Sequence, residues 1–319
     1  MRIARLPSFI ILTVFALILN GVTAINIFTI QPILLPVFLV FTFFVLVTMV
    51  QVYDRDVHRQ PKTTCALTVW RTEGIAVFFG AIITYALHGH TPLDVVLATG
   101  LVGIGAALFM RRVQVPVYCG AFVGMSSPML LGWGPFLLAS LLASVLFVIA
   151  KDVYNGYGGK LGTIAFTGAF VSGFIYRSPF LEGSRFNQTE SLWIVLVSVI
   201  AALLTYVMSI RIRQGPVLGS AFIGFYLGAV LLFFPTLPPV LPVVAIGATF
   251  VGMSSMARLP HEGYVALAGG LFALLFIFSA PYFNGAGGKL GTIAFISSLS
   301  LAASHTTINK IANRLRKTA

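Results

Sequence analysis

The chain has 319 residues, of which 58% are hydrophobic and only 9% charged, and this excludes a water-soluble globular protein because so few charges cannot cover a soluble surface of that size. The formal net charge of +12 is read as cations retained on one membrane face rather than as a footprint for nucleic acid, since Lys and Arg beside apolar spans resist translocation. The expected class is an all-α polytopic membrane protein embedded in the lipid bilayer, with no room for a separate soluble domain.

Apolar stretches able to cross a hydrocarbon layer of about 30 Å as helices predict spans near 7–26, 30–51, 74–90, 92–110, 114–130, 134–151, 160–177, 191–210, 215–235, 240–256, 262–281 and 289–304. The first follows Arg2 and Arg5 and resembles a signal peptide, but no small-residue cleavage pattern stands out after it, so it is expected to be a retained helix. The basic loop 54–71, broken by Pro61, joins the first two spans to the rest and has room for a short surface helix. Cys65 in that loop and Cys119 in a span fit neither a disulfide nor a metal site. With twelve crossings and a cytoplasmic N-terminus, nearly every Lys and Arg falls inside; only Arg177, Arg185 and Lys289 fall outside. The expected location is a bacterial inner membrane with both termini cytoplasmic.

Two strings recur in the same order. FVGMSS occupies 122–127 and 250–255, and NGxGGKLGTIAF occupies 155–166 and 284–295, at offsets of 128 and 129 residues. The chain therefore holds two copies of one unit. The units are placed at 73–177 and 191–304, preceded by an added segment, 1–72, and followed by a basic cytoplasmic tail, 305–319. Five crossings per unit force the second copy to run upside down, giving two inverted five-span repeats.

The crossings that carry FVGMSS look interrupted. Pro116, Gly120, Gly124 and Pro128 punctuate the first, and Pro238, Pro239, Pro242, Gly247 and Gly252 the second. The β-branched Val113, Val115 and Val117, and Val243, Val244 and Ile246, favour an extended run before each motif. The expectation is an extended stretch followed by a half-helix that starts near Gly120–Gly124 or Gly247–Gly252. Two such half-helix N-termini would face the midplane and offer free N–H groups to a small anion or polar solute. Phe122, Gly124, Ser126, Ser127, Phe250, Gly252, Ser254 and Ser255 are then the candidate binding residues. Tight packing of small residues accounts for the same pattern without any solute. Phe122 and Phe250 fit a slot or dewetting gate, or plain packing.

In the second string, Asn and Gly make a turn and Lys-Leu-Gly-Thr opens the next span. Asn155 with Lys160, and Asn284 with Lys289, are expected at opposite pore mouths, drawing anions in; a snorkelling lysine at a helix start is the alternative. The P-loop spacing is absent.

No carboxylate falls near the centre of a predicted span, which argues against proton coupling and against a cation channel. Neither HExxH nor GxSxG nor a Cys/His cluster occurs, so no enzyme activity, cofactor or metal is expected. The function expected is a transporter or channel for a small anionic or neutral polar solute. A sodium-coupled carrier using the same site, and a non-transporting component of an envelope assembly or a lipid-handling enzyme, are the alternatives. A homo-oligomer is left open.

Overall fold

The computed structural model describes residues 5–58 and 67–318, which form twelve α-helices: α1 (Arg5–Ile30), α2 (Leu35–Val52), α3 (Leu67–His90), α4 (Val95–Phe109), α5 (Gln114–Gly124), α6 (Trp133–Ile149), α7 (Lys160–Ile175), α8 (Gln188–Tyr206), α9 (Pro216–Leu232), α10 (Leu241–Gly252), α11 (Glu262–Ser279) and α12 (Lys289–Thr318). One helix stands at each predicted span. The centre of the basic loop, 59–66 with Cys65, lies outside the described residues. The segment 305–318, expected as a tail, continues α12.

Several helix starts follow directly from side-chain chemistry. Asp94 accepts from the Val96 N–H at 2.8 Å and caps α4. Asn187 and Glu190 exchange hydrogen bonds with each other's backbone N–H, a capping box that starts α8. Pro216 opens α9, where a missing donor costs nothing.

Among the described residues, five helical segments are long and apolar enough to cross a membrane: Arg5–Ile30, Pro32–His58, Thr68–His90, Gln188–Arg211 and Glu262–Ser279. These mark a membrane protein. Six further apolar helices, Val95–Phe109, Trp133–Ile149, Lys160–Ile175, Pro216–Leu232, Leu241–Gly252 and Lys289–Ser304, are shorter than these. The 11 residues of α5 and 12 of α10 rise only about 17 Å at 1.5 Å per residue, half the apolar layer.

The helical part of these two segments also lies opposite to expectation. Val115 and Val117, and Val243, Val244 and Ile246, lie in helix, not in an extended run, and the helix ends at Gly124 or Gly252 instead of starting there. Two physical reasons account for this. Pro116 and Pro242 sit in the first helical turn, where proline is tolerated. Val117 and Val244 are buried, and backbone buried in apolar surroundings pairs its polar groups within a helix, which overrides a weak β preference. The FVGMSS segments are thus helix C-termini; the N-termini nearby belong to α7 and α12.

Packing follows the sequence repeat. α5 lies on α3 and α10 on α8; α6 pairs with α7 and α11 with α12; α4 meets α9, and α7 meets α12. The added helices dock against the second unit and the loop before α7 through polar bonds. Asn26 Nδ2 donates to the Phe278 carbonyl at 2.7 Å, Thr48 Oγ1 to that of Leu299 at 2.8 Å, and Thr13 and Tyr154 share a 2.7 Å hydroxyl bond. Arg5 pairs with Asp152 at 3.3 Å, and Asp56 accepts from the Tyr154 N–H at 3.0 Å.

Candidate functional site

The two repeated strings meet each other across the copies. Gly287 N donates to Ser126 Oγ at 3.1 Å, and Gly158 N donates to Ser254 Oγ at 3.1 Å. Ser127 N donates to the Gly285 carbonyl at 2.8 Å, and Ser255 N to that of Gly156 at 2.9 Å. The serine end of each copy thus holds the glycine loop of the other. The glycines are required by proximity: a Cβ on Gly158 would lie 2.3 Å from the Phe250 carbonyl oxygen, and one on Gly287 2.5 Å from that of Phe122. The two loops share a backbone form, with left-handed φ of 57° at Tyr154 and at Phe283.

At the junction of the copies, Gly162 of α7 and Gly291 of α12 face each other, and a Cβ on either would come within 2.4 Å of the other's Cα. Phe122 and Phe250 also face each other, with ring centroids 4.3 Å apart at 46°, and each is 1% exposed.

A cavity lies against each glycine loop. One, of 420 Å³, contains Asn155, Lys160, Glu73, Lys151 and Arg112 with Met253, and both phenylalanines border it. The other, of 410 Å³, contains Asn284, Lys289, Glu182 and Glu190 with Met125, and Phe250 borders it. The lysines are held alike. Lys160 Nζ donates to the Lys151 carbonyl at 3.1 Å and Asn155 Oδ1 at 2.9 Å; Lys289 Nζ donates to the Ser279 carbonyl at 2.9 Å and Asn284 Oδ1 at 2.7 Å. Lys289 is only 7% exposed, so it is tied inward and does not snorkel.

The candidate residues divide into three groups. Phe122, Phe250, Asn155, Lys160, Asn284 and Lys289 border the cavities. Ser126, Ser127, Ser254 and Ser255 serve the junction between copies. Gly124 and Gly252 turn elsewhere: a Cβ there would strike α3 at Ala81 and Thr84, or α8 at Ala202 and Thr205.

Several contributors escaped the sequence reading. Tyr85 and Tyr206 donate to the carbonyls of Leu131 and Leu259, pinning the turn after each FVGMSS. Tyr118, Ser220 and Thr249 form a hydroxyl chain at 3.0 and 2.8 Å that ties α5, α9 and α10 together. The linker between copies closes over the second cavity: Leu181 pairs with Asn284, and Gly183 abuts Ala280. Spacing alone gave no signal for these, because each partner lies far along the chain. Arg258 sits 4.7 Å over the Tyr157 ring at the first cavity, where burial pushes its guanidinium below its ordinary value. Among the described residues, no group of three or more His, Cys, Asp and Glu side chains is placed to hold a metal ion.

No protein-family model matches this chain, and neither a curated protein nor a solved structure is detectably similar to it.

Proposed function

We propose that this protein is a membrane channel or transporter for a small anionic or neutral polar solute, which passes between the two cavities across the Phe122–Phe250 pair. One observation carries the reading. Two cavities of nearly equal size, each with an Asn–Lys pair, flank one aromatic pair contributed equally by both copies. A packing role alone requires neither cavity.

The reciprocal contacts support a pseudo-two-fold relation between units 73–177 and 191–304, because a contact from residue i to j is repeated from j's equivalent to i's. With five helices per unit, we take that axis to lie in the membrane plane, so that the units are inverted and the cavities open to opposite sides. The half-length α5 and α10 are the interrupted crossings, each completed by the turn after FVGMSS. We place the protein in a bacterial inner membrane with both termini cytoplasmic, acting without a cofactor and not as an enzyme; self-association is compatible with this.

Purified protein in liposomes tests the proposal. The expected result is protein-dependent flux of a small solute; a requirement for sodium favours a sodium-coupled carrier, and flux without an ion gradient favours a channel. Absence of flux across a panel of small anions and neutral solutes contradicts transport and favours a structural or lipid-handling role.

A further inference from the structure

We infer that the solute crosses the Phe122–Phe250 constriction uncharged, and that the site takes small neutral molecules bearing an oxygen that accepts a hydrogen bond. This rests on the transport reading and narrows its solute class.

The constriction offers a charge nothing in exchange for water. The two rings touch and are almost wholly buried, and the Tyr118 ring stands 4.4 Å from Phe122 with its own hydroxyl bound to Ser220. The nearby serine hydroxyls are committed. Ser126 donates to the Val123 carbonyl and accepts from Gly287, while Ser254 donates to Ser298 and accepts from Gly158. An ion entering between the rings sheds its hydration without replacement, and the negative ring faces repel anions further.

The two cavities do not form a matched anion path, because their charges differ. Lys289 shares its cavity with Glu182 and Glu190. In the other cavity, Glu73 pairs with Lys151 at 2.5 Å, which leaves Lys160 and Arg112 as unopposed cations on that side alone. What each cavity does supply is a fixed donor. A lysine ammonium has three N–H groups; Lys160 and Lys289 each spend two on protein oxygens, leaving one for an oxygen of the solute. The pair of cavities thus offers the same donor before and after the constriction.

The test uses the full chain in liposomes, with formamide, acetamide and glycerol followed by light scattering, and chloride and nitrate by current. At least one neutral probe is expected to permeate tenfold or more above protein-free vesicles, with both anions at background. Anion permeability within tenfold of the best neutral probe overturns the inference and leaves the transport reading standing. Background permeability for every probe overturns both. Lys160→Met and Lys289→Met, each checked for a monodisperse elution profile, are expected to lower neutral flux at least tenfold, whereas Lys160→Arg and Lys289→Arg retain most of it. Full flux through folded Met variants overturns the oxygen-recognition part. Should a Met variant fail to fold, Lys160→Leu or Lys289→Leu, which also lacks a donor, takes its place under the same criterion.

Discussion

Ser126 and Ser254 show how two short hydroxyl side chains hold together two long units. Each accepts a hydrogen bond from a buried glycine N–H of the other copy. Removing the acceptor leaves that N–H unsatisfied, at a cost of about 1–3 kcal/mol. Ser126→Ala and Ser254→Ala are therefore each expected to lower thermal stability in detergent, with Thr substitution less damaging than Val. At Gly158 and Gly287 the problem is space instead. An added methyl meets main-chain carbonyl oxygens, which cannot yield as a flexible side chain does. Gly158→Ala and Gly287→Ala should cost about 1–3 kcal/mol or more by overpacking, read as a lower midpoint of thermal unfolding. An unchanged midpoint in both pairs would remove the cross-copy contact from the account.

Among the elements, α5 and α10 decide the architecture. Their prolines and glycines mark where each short helix begins and ends, but which part of each segment is helical was not legible. Valine runs read as extended, yet α3 and α8 supply packed surfaces on which those residues are better placed as helix. Helix positions, by contrast, were legible almost throughout, because apolar length and caps such as Asp94 and Asn187 act locally. The repeat was legible because its strings are nearly identical. Its reason was not, since the partner of each string is the other string of the opposite copy. Where α7 and α12 cross, Gly162 and Gly291 bring the two backbones together. Gly162→Leu should separate these helices and loosen the whole junction, giving early proteolysis and a broadened elution profile; a native profile would show that the crossing tolerates bulk.

For the molecule as a whole, magnitudes favour an uncharged passenger. Moving an ion into surroundings as apolar as a protein interior carries an idealised cost of order 20 kcal/mol, whereas an unpaired amide or hydroxyl costs roughly 2–7 kcal/mol. The sequence placed the lysines at pore mouths by their position in the repeat and gave no sign of Glu182 and Glu190, because the linker's path over Asn284 is set by tertiary contacts. A lysine that mainly attracts anions and one that donates a hydrogen bond differ in one variant. Lys289→Glu should reduce neutral-solute flux by loss of the donor, whereas the loss of a merely anion-attracting lysine would leave that flux unchanged.

The most direct test of passage between the cavities is a size series at the aromatic pair. Flux through Phe122 and Phe250 variants in liposomes is measured with Ala, Leu and Trp placed at both positions. The account predicts that flux falls as side-chain volume grows, with Ala above Leu, Leu above Phe, and Trp near background. Flux that ignores the size of these side chains, in variants that remain folded, would contradict it.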